Sequence, residues 1–357
     1  MTEHARFAVS GVKPITFAEA LEATKARRRH LLLGNGFSIG VHRAFGYGSL
    51  FEDAVAREPS LRDLFAPGDP NFEVALERCL GVSDADRLRE GLIRAVAAVH
   101  PEHSLSLTEQ QCLSCRDFLE HFVGRNRSPL GTLFTTNYDM LLHWVLSRQG
   151  KNPGTKQRSQ LKCWDGFDAR GEWNPNAEAQ AFYLHGAVHI YEHVQPRFPD
   201  RSYTKMLRYE WGRPLTKQVD AELKEGRFPV FIAEGNSQKK RARQRLEYLA
   251  AARAKFRTVC RKDPGAVLFT FGHSFGQSDN HIAEEIGAGT VREVFIGVFL
   301  DGDRARAQQL AATWSAARVP PVGRQSSCVR SIPLNAASGV ANALKRRNWL
   351  HYVGEIY

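Results

Sequence analysis

Long apolar runs are missing from this chain of 357 residues: no stretch reaches the roughly 18 uninterrupted apolar residues of a membrane span. The first residues, Met1 to Gly11, hold no basic segment followed by an apolar one, so no secretory leader is expected and a cytoplasmic protein is. Cysteine is scarce. Six residues (Cys79, Cys112, Cys115, Cys163, Cys260, Cys328) at irregular spacing exclude the disulfide framework of a small secreted domain. Cys112 and Cys115 form one C-x-x-C, but a four-ligand zinc site needs a second pair and none follows, so no metal is expected. The pair reads instead as small apolar residues on one helical turn beside Phe118 and Phe122. Internal repeats and low-complexity tracts are also absent.

What is present is the composition of a folded chain, 43% hydrophobic and 24% charged. Forty-nine basic against 38 acidic residues give a net charge of +11, which favours anionic neighbours. The densest basic run, residues 239–262, contains Lys239, Lys240, Arg241, Arg243, Arg245, Arg253, Lys255, Arg257, Arg261 and Lys262. It reads first as the solvated face of one helix over Gln238 to Val259, and second as a nucleic-acid-binding face.

Short apolar runs at His30–Leu33, Thr132–Thr135, Ala181–Leu184, Val230–Ala233, Val267–Phe271 and Val294–Leu300 have the pattern of buried parallel strands. Helical patterns lie between them: Phe17–Arg27, Arg87–Val99, Cys112–Val123, Met140–Ser147, Asn280–Ile286, Arg304–Ala317 and Ala336–Arg346. The alternation predicts an α/β protein with a Rossmann-like, doubly wound parallel sheet. A mostly helical insertion, residues 42–110, follows the first strand, and residues 150–180 and 193–229 read as irregular insertions.

Four strand ends carry polar residues, which is where an open α/β sheet binds its ligands. The first strand runs into Gly34-Asn35-Gly36-Phe37-Ser38, a turn where glycine lets a backbone or a phosphate come close. The second ends in Thr136-Asn137-Tyr138-Asp139, where Asn137 or Asp139 also suits a helix cap. The third ends in His185-Gly186, with Val188–Tyr191 as a return strand, and His185 can take a proton near neutral pH. The fourth ends in Gly272-His273-Ser274, and Asp279 behind it reads as the cap of the helix that starts at Asn280.

In this order the four segments resemble the signature of the sirtuin superfamily, whose corresponding stretches are a Gly-Ala-Gly-x-Ser loop, Gln-Asn-x-Asp, Leu-His-Gly and Gly-x-Ser. A bacterial sirtuin-like family of uncharacterised function is also similar through Phe231-Ile232-Ala233-Glu234-Gly235, Lys239 and Tyr248-Leu249. The zinc ribbon of the protein deacylases is missing between His185 and Gly272, which points away from deacylation. The resemblance implies an NAD glycohydrolase of the kind used in bacterial anti-phage defence. Asn137, Asp139 and His185 would be catalytic; Gly34, Asn35, Gly36, Phe37, Ser38, Thr136, Gly272 and Ser274 would hold NAD, which is the substrate. It also implies a homo-oligomer and a partner such as an ATPase, an Argonaute-type protein or a phage protein. Two other outcomes stay open: a subunit that senses NAD or ADP-ribose without cleaving it, and an ADP-ribosyltransferase.

Overall fold

Arg29–Leu33 (β1) is buried along its whole length, as a strand flanked on both sides and covered on both faces must be. It stands in the middle of a parallel sheet in this computed structural model, which describes residues 15–100, 107–124, 128–147, 150–151, 158–159, 161, 163–194, 201–207, 213–233, 237–263, 265–291, 293–298, 301–317 and 328–333. The remaining strands in chain order are β2 (Leu133–Thr135), β3 (Gly150–Lys151), β4 (Arg158–Ser159), β5 (Ala181–Tyr183), β6 (Gly186–Val194), β7 (Arg201–Lys205), β8 (Pro229–Phe231), β9 (Val267–Phe271), β10 (Glu293–Val298) and β11 (Cys328–Pro333).

Six of them form one sheet in the order β11-β10-β9-β1-β2-β5, every pair parallel. The chain starts at β1, builds outward through β2 to β5, then returns to the other side of β1 and builds outward through β9, β10 and β11. That is the doubly wound Rossmann order, and its direction reverses between β1 and β9. The α/β class and the Rossmann-like sheet are therefore as the sequence predicts.

The pleat divides β1 between two cores. Leu31 and Leu33 face a cluster with Phe17, Phe118, Leu119 and Phe122, from the helices Phe17–Ala23 and Glu109–Glu120 and the turn after the latter. Leu32 faces Phe256, Ile282, Ile286, Leu310 and Trp314, from Glu247–Lys262, Asn280–Gly287 and Asp301–Ala317. Each such side chain, once buried, contributes roughly 1.5–3 kcal/mol. The segment after β1 is helical, with Tyr47–Arg57, Phe72–Arg78 and the long Val82–Val99.

Several expectations need correction. The run Val230–Ala233 is not a parallel strand: β8 pairs antiparallel with β6, and β7 with β6, in a separate three-stranded sheet. An apolar run looks the same whichever sheet buries it. The sixth parallel strand is β11 instead. The helix read over Gln238–Val259 is two helices, Ser237–Arg243 and Glu247–Lys262, because they answer to different partners. The second lays Tyr248, Leu249, Ala252 and Phe256 into the core, whereas the first turns Lys240 inward to carboxylates. Residues 193–229 are not wholly irregular, since they include β7 and the helix Leu215–Lys224. The helix expected at Ala336–Arg346 lies outside the described residues.

Candidate functional site

The reversal between β1 and β9 is closed at its base by two glycine turns in contact. Gly34 donates its amide to the Phe271 carbonyl and Gly36 donates to Gly272, both at 2.9 Å. A Cβ on Gly272 would stand 2.6 Å from the Gly36 Cα, and Gly272 also has φ +64, so glycine is required there twice over. The close approach that the glycines permit is thus, first of all, that of one turn to the other. Asn35 continues the turn, with Nδ2 donating to the Phe45 carbonyl at 3.0 Å, and Phe37 is packed in the core.

Ser38 connects this turn to the end of β2. Its hydroxyl donates to Asp139 Oδ2 at 2.5 Å and accepts from Asn137 Nδ2 at 2.9 Å. Asn137 is held from behind as well, its amide donating to Thr135 Oγ1 at 3.0 Å. Its Oδ1 is buried with no hydrogen-bond partner among the described residues. A buried acceptor left open costs about 1–3 kcal/mol unless a ligand or water fills it. Asp139 accepts the amide of Leu141, the first residue of the helix Leu141–Ser147, on Oδ1 at 2.8 Å, while its other oxygen takes Ser38. Thr136 donates its amide to the Leu33 carbonyl at 3.1 Å.

His185 follows β5, which lies beside β2, so it stands level with Asn137 on the next strand end. The return strand expected at Val188–Tyr191 exists as part of β6, and the turn into it needs Gly186 (φ +72), whose Cβ would meet the Val230 carbonyl oxygen at 1.9 Å. His185 is 1% exposed, and its Nε2 faces His281 Nε2 at 3.1 Å. Burial first, and the Lys240 charge second, push its pKa well below the ordinary value, so His185 is a weaker proton acceptor near neutral pH than its place in the sequence suggested. Burial lowers His281 to about 4 and also lowers His273. The sequence-predicted residues are therefore brought to the carboxyl ends of four neighbouring strands: β9, β1, β2 and β5. Ser274 is exposed on the β9 side, and Ser38 is buried on the β1 side.

Sequence reasoning missed the charged centre of this region. Lys240, inside the basic run, is fully buried and its ammonium donates to Asp279 Oδ1 at 2.7 Å and Glu73 Oε1 at 3.0 Å. Tyr138 donates its hydroxyl to the same Glu73 oxygen at 2.5 Å. Burial pulls the Lys240 pKa down, but the two carboxylates outweigh it and raise the group above its ordinary value. Burial works to raise Asp279, yet Lys240 and the neighbouring histidines hold it well below the usual carboxylate range. Burial raises Glu73. Asp279 precedes the helix Asn280–Gly287 without making a capping bond, so its side chain belongs to the cluster and not to the helix end. His185, Asp279 and His281 offer donor atoms that all lie within 4.8 Å of one another. The only trace in the sequence was Asp279-Asn280-His281 behind a strand-end glycine.

Elsewhere, Cys112 and Cys115 are both buried on the helix Glu109–Glu120, packed in the same cluster as Phe118. Arg253, Arg257 and Arg261, one turn apart, converge on Glu285, so three guanidinium groups share one carboxylate on that helix face. A cleft of about 480 Å³, lined by His42, Ala44, Ala98, Val99, His100, Leu107 and Gln111, includes none of the strand-end residues.

Fold and site define an α/β protein of doubly wound topology with a buried polar cluster at the strand ends beside its switch point. The chain belongs to the DUF4917 family, described as a domain of unknown function, whose model matches residues 77–321, more than half of the chain. The matched span takes in β2, β5 and β9 with their polar ends and begins after the Gly34–Ser38 turn. No curated protein matches the chain.

Proposed function

We propose that this chain binds NAD across the ends of β1, β2, β5 and β9 and hydrolyses the nicotinamide–ribose bond, yielding nicotinamide and ADP-ribose. The observation that carries the reading is Asn137: its side-chain nitrogen is fixed on Ser38 while its buried Oδ1 has no partner among the described residues. Such an acceptor suits a ribose hydroxyl or the attacking water. Nicotinamide leaves a cationic pyridinium as a neutral molecule, so the ribosyl centre passes through an oxocarbenium-like state that needs positioning above all. Asn137 orients the water, His185 takes its proton, and Asp139 keeps Ser38 and Asn137 in place. The resemblance to sirtuins and the position of all four segments at the switch-point edge support the same assignment. The amides of Gly34 and Gly36 are already taken, so in this reading the exposed Ser274 meets the dinucleotide's polar backbone on the β9 side.

The wider reading is an effector of anti-phage defence that acts as a homo-oligomer with an activating partner. Contact through residues 42–110 is supported by Leu80 and Val82, which are apolar and open to solvent. Incubating the pure chain with NAD and separating the products tests the activity. Release of nicotinamide, lost in Asn137→Ala, supports it; NAD binding without release, with or without candidate partners, replaces it by the sensing reading. ADP-ribose attached to an acceptor would show the transferase instead.

A further inference from the structure

Two imidazole nitrogens that face each other beside a carboxylate are a donor set as well as a hydrogen-bonded group. His185 arrives from the end of β5, and Asp279 and His281 from the start of the helix Asn280–Gly287. The two Nε2 atoms stand 3.1 Å apart, close to the about 3.3 Å that separates two ligands each roughly 2.0–2.1 Å from a tetrahedral zinc ion. Asp279 Oδ1 lies 3.8 Å from His185 Nε2, and all three donors fall within 4.8 Å. Beside them, His273 Nε2 is buried without a hydrogen-bond partner among the described residues, 3.7 Å from Asp279 Oδ2.

We infer that His185, His281 and Asp279 form a reversible site for a divalent transition-metal ion of the zinc class, and that the ion closes the site by occupying His185. Two nitrogens and one oxygen favour zinc, cobalt or nickel over calcium and magnesium, which prefer oxygen ligands. Three protein ligands leave a fourth position open, as in exchangeable and catalytic sites. Two features hold the affinity below that of a structural zinc site. Lys240 keeps a positive charge on Asp279 Oδ1, and among the described residues His281 Nδ1 has no acceptor to fix its tautomer.

Binding stands apart from the NAD reading; only the blocking of His185 rests on it. The test is titration of the full chain, stripped with a chelator and free of NAD, with Co²⁺, followed by competition with Zn²⁺. One equivalent should bind with a visible spectrum of nitrogen and oxygen coordination and no thiolate charge-transfer band. His281→Gln and Asp279→Asn should each weaken binding at least about 10-fold, and Cys112→Ser should not. Asp279→Asn keeps an acceptor for Lys240, and circular dichroism of both variants shows which remain folded. Wild-type affinity in a folded variant, a thiolate band, or loss of binding in Cys112→Ser overturns the site. In the second arm, turnover of NAD should fall as Zn²⁺ saturates and return with chelator; turnover indifferent to bound zinc overturns the blocking. Cobalt binding without any turnover keeps the metal site and removes only the NAD reading.

Discussion

Lys240 places its ammonium 2.7 Å from Asp279 Oδ1, across 39 positions of sequence and inside the protein, while its second bond goes to Glu73 in the helical segment after β1. This ion triad joins the Ser237–Arg243 helix, the Phe72–Arg78 helix and the strand-end site.

Lys240→Met should therefore be costly, because it strands two buried carboxylates. Removing one member of a buried pair costs about 3–5 kcal/mol, and urea unfolding should show a loss of that order. A loss under about 1 kcal/mol would mean that the carboxylates find other partners.

The close approach of the two glycine turns predicts a graded series. Gly226 (φ +70) has open space around its would-be Cβ, whereas Gly272 (φ +64) meets Gly36. Gly226→Ala should cost about 1 kcal/mol for the left-handed backbone alone. Gly272→Ala should cost at least about 2 kcal/mol more, since backbone must shift. Equal melting temperatures for the two variants would contradict the contact.

Stability should fall steeply below neutral pH. Burial lowers His30 to about 4 and lowers His100, His143 and His189 as well. Their unfolded values stay near 6.5, so below that pH the unfolded chain binds protons that the folded one refuses. Each group removes up to about 1.4 kcal/mol per pH unit between 6.5 and its folded value. The stabilisation is complete above pH 6.5 and declines toward pH 4; equal urea midpoints at pH 7.5 and pH 5 would refute it.

For turnover, Asn137→Ala and His185→Ala should each lower NAD cleavage by about 10² to 10⁴ while circular dichroism stays unchanged. Ser38→Ala should act less strongly, since it releases Asn137 without removing it. Full activity in His185→Ala would take the histidine out of the chemistry.

The sheet was legible where apolar residues run unbroken, as in Leu31-Leu32-Leu33 or Val267-Leu268-Phe269. β11 was not, since Arg330, Ser331 and Pro333 interrupt it, and β8 misled because periodicity does not distinguish between sheets. Asn137, Asp139 and His185 could be read because polar residues at apolar strand ends stand out. Lys240 could not: a lysine among lysines and arginines looks solvated, and only pairing with Glu73, 167 residues away, places it inside. Asp279 was misread for a similar reason, as position before a helix suggests a cap whatever the side chain does.

The double bond-making of Asp139 ties distant parts together. Its carboxylate grips the Leu141 amide and the Ser38 hydroxyl, while the adjoining Met140 amide donates to His100 Nε2 at 2.8 Å. His100 is also a wall of the 480 Å³ cleft. The peptide between Asp139 and Leu141 is thus moored from both sides, like a rope between two cleats. Whatever displaces His100 in the cleft therefore takes away the acceptor of the Met140 amide, one residue from the carboxylate that holds Ser38.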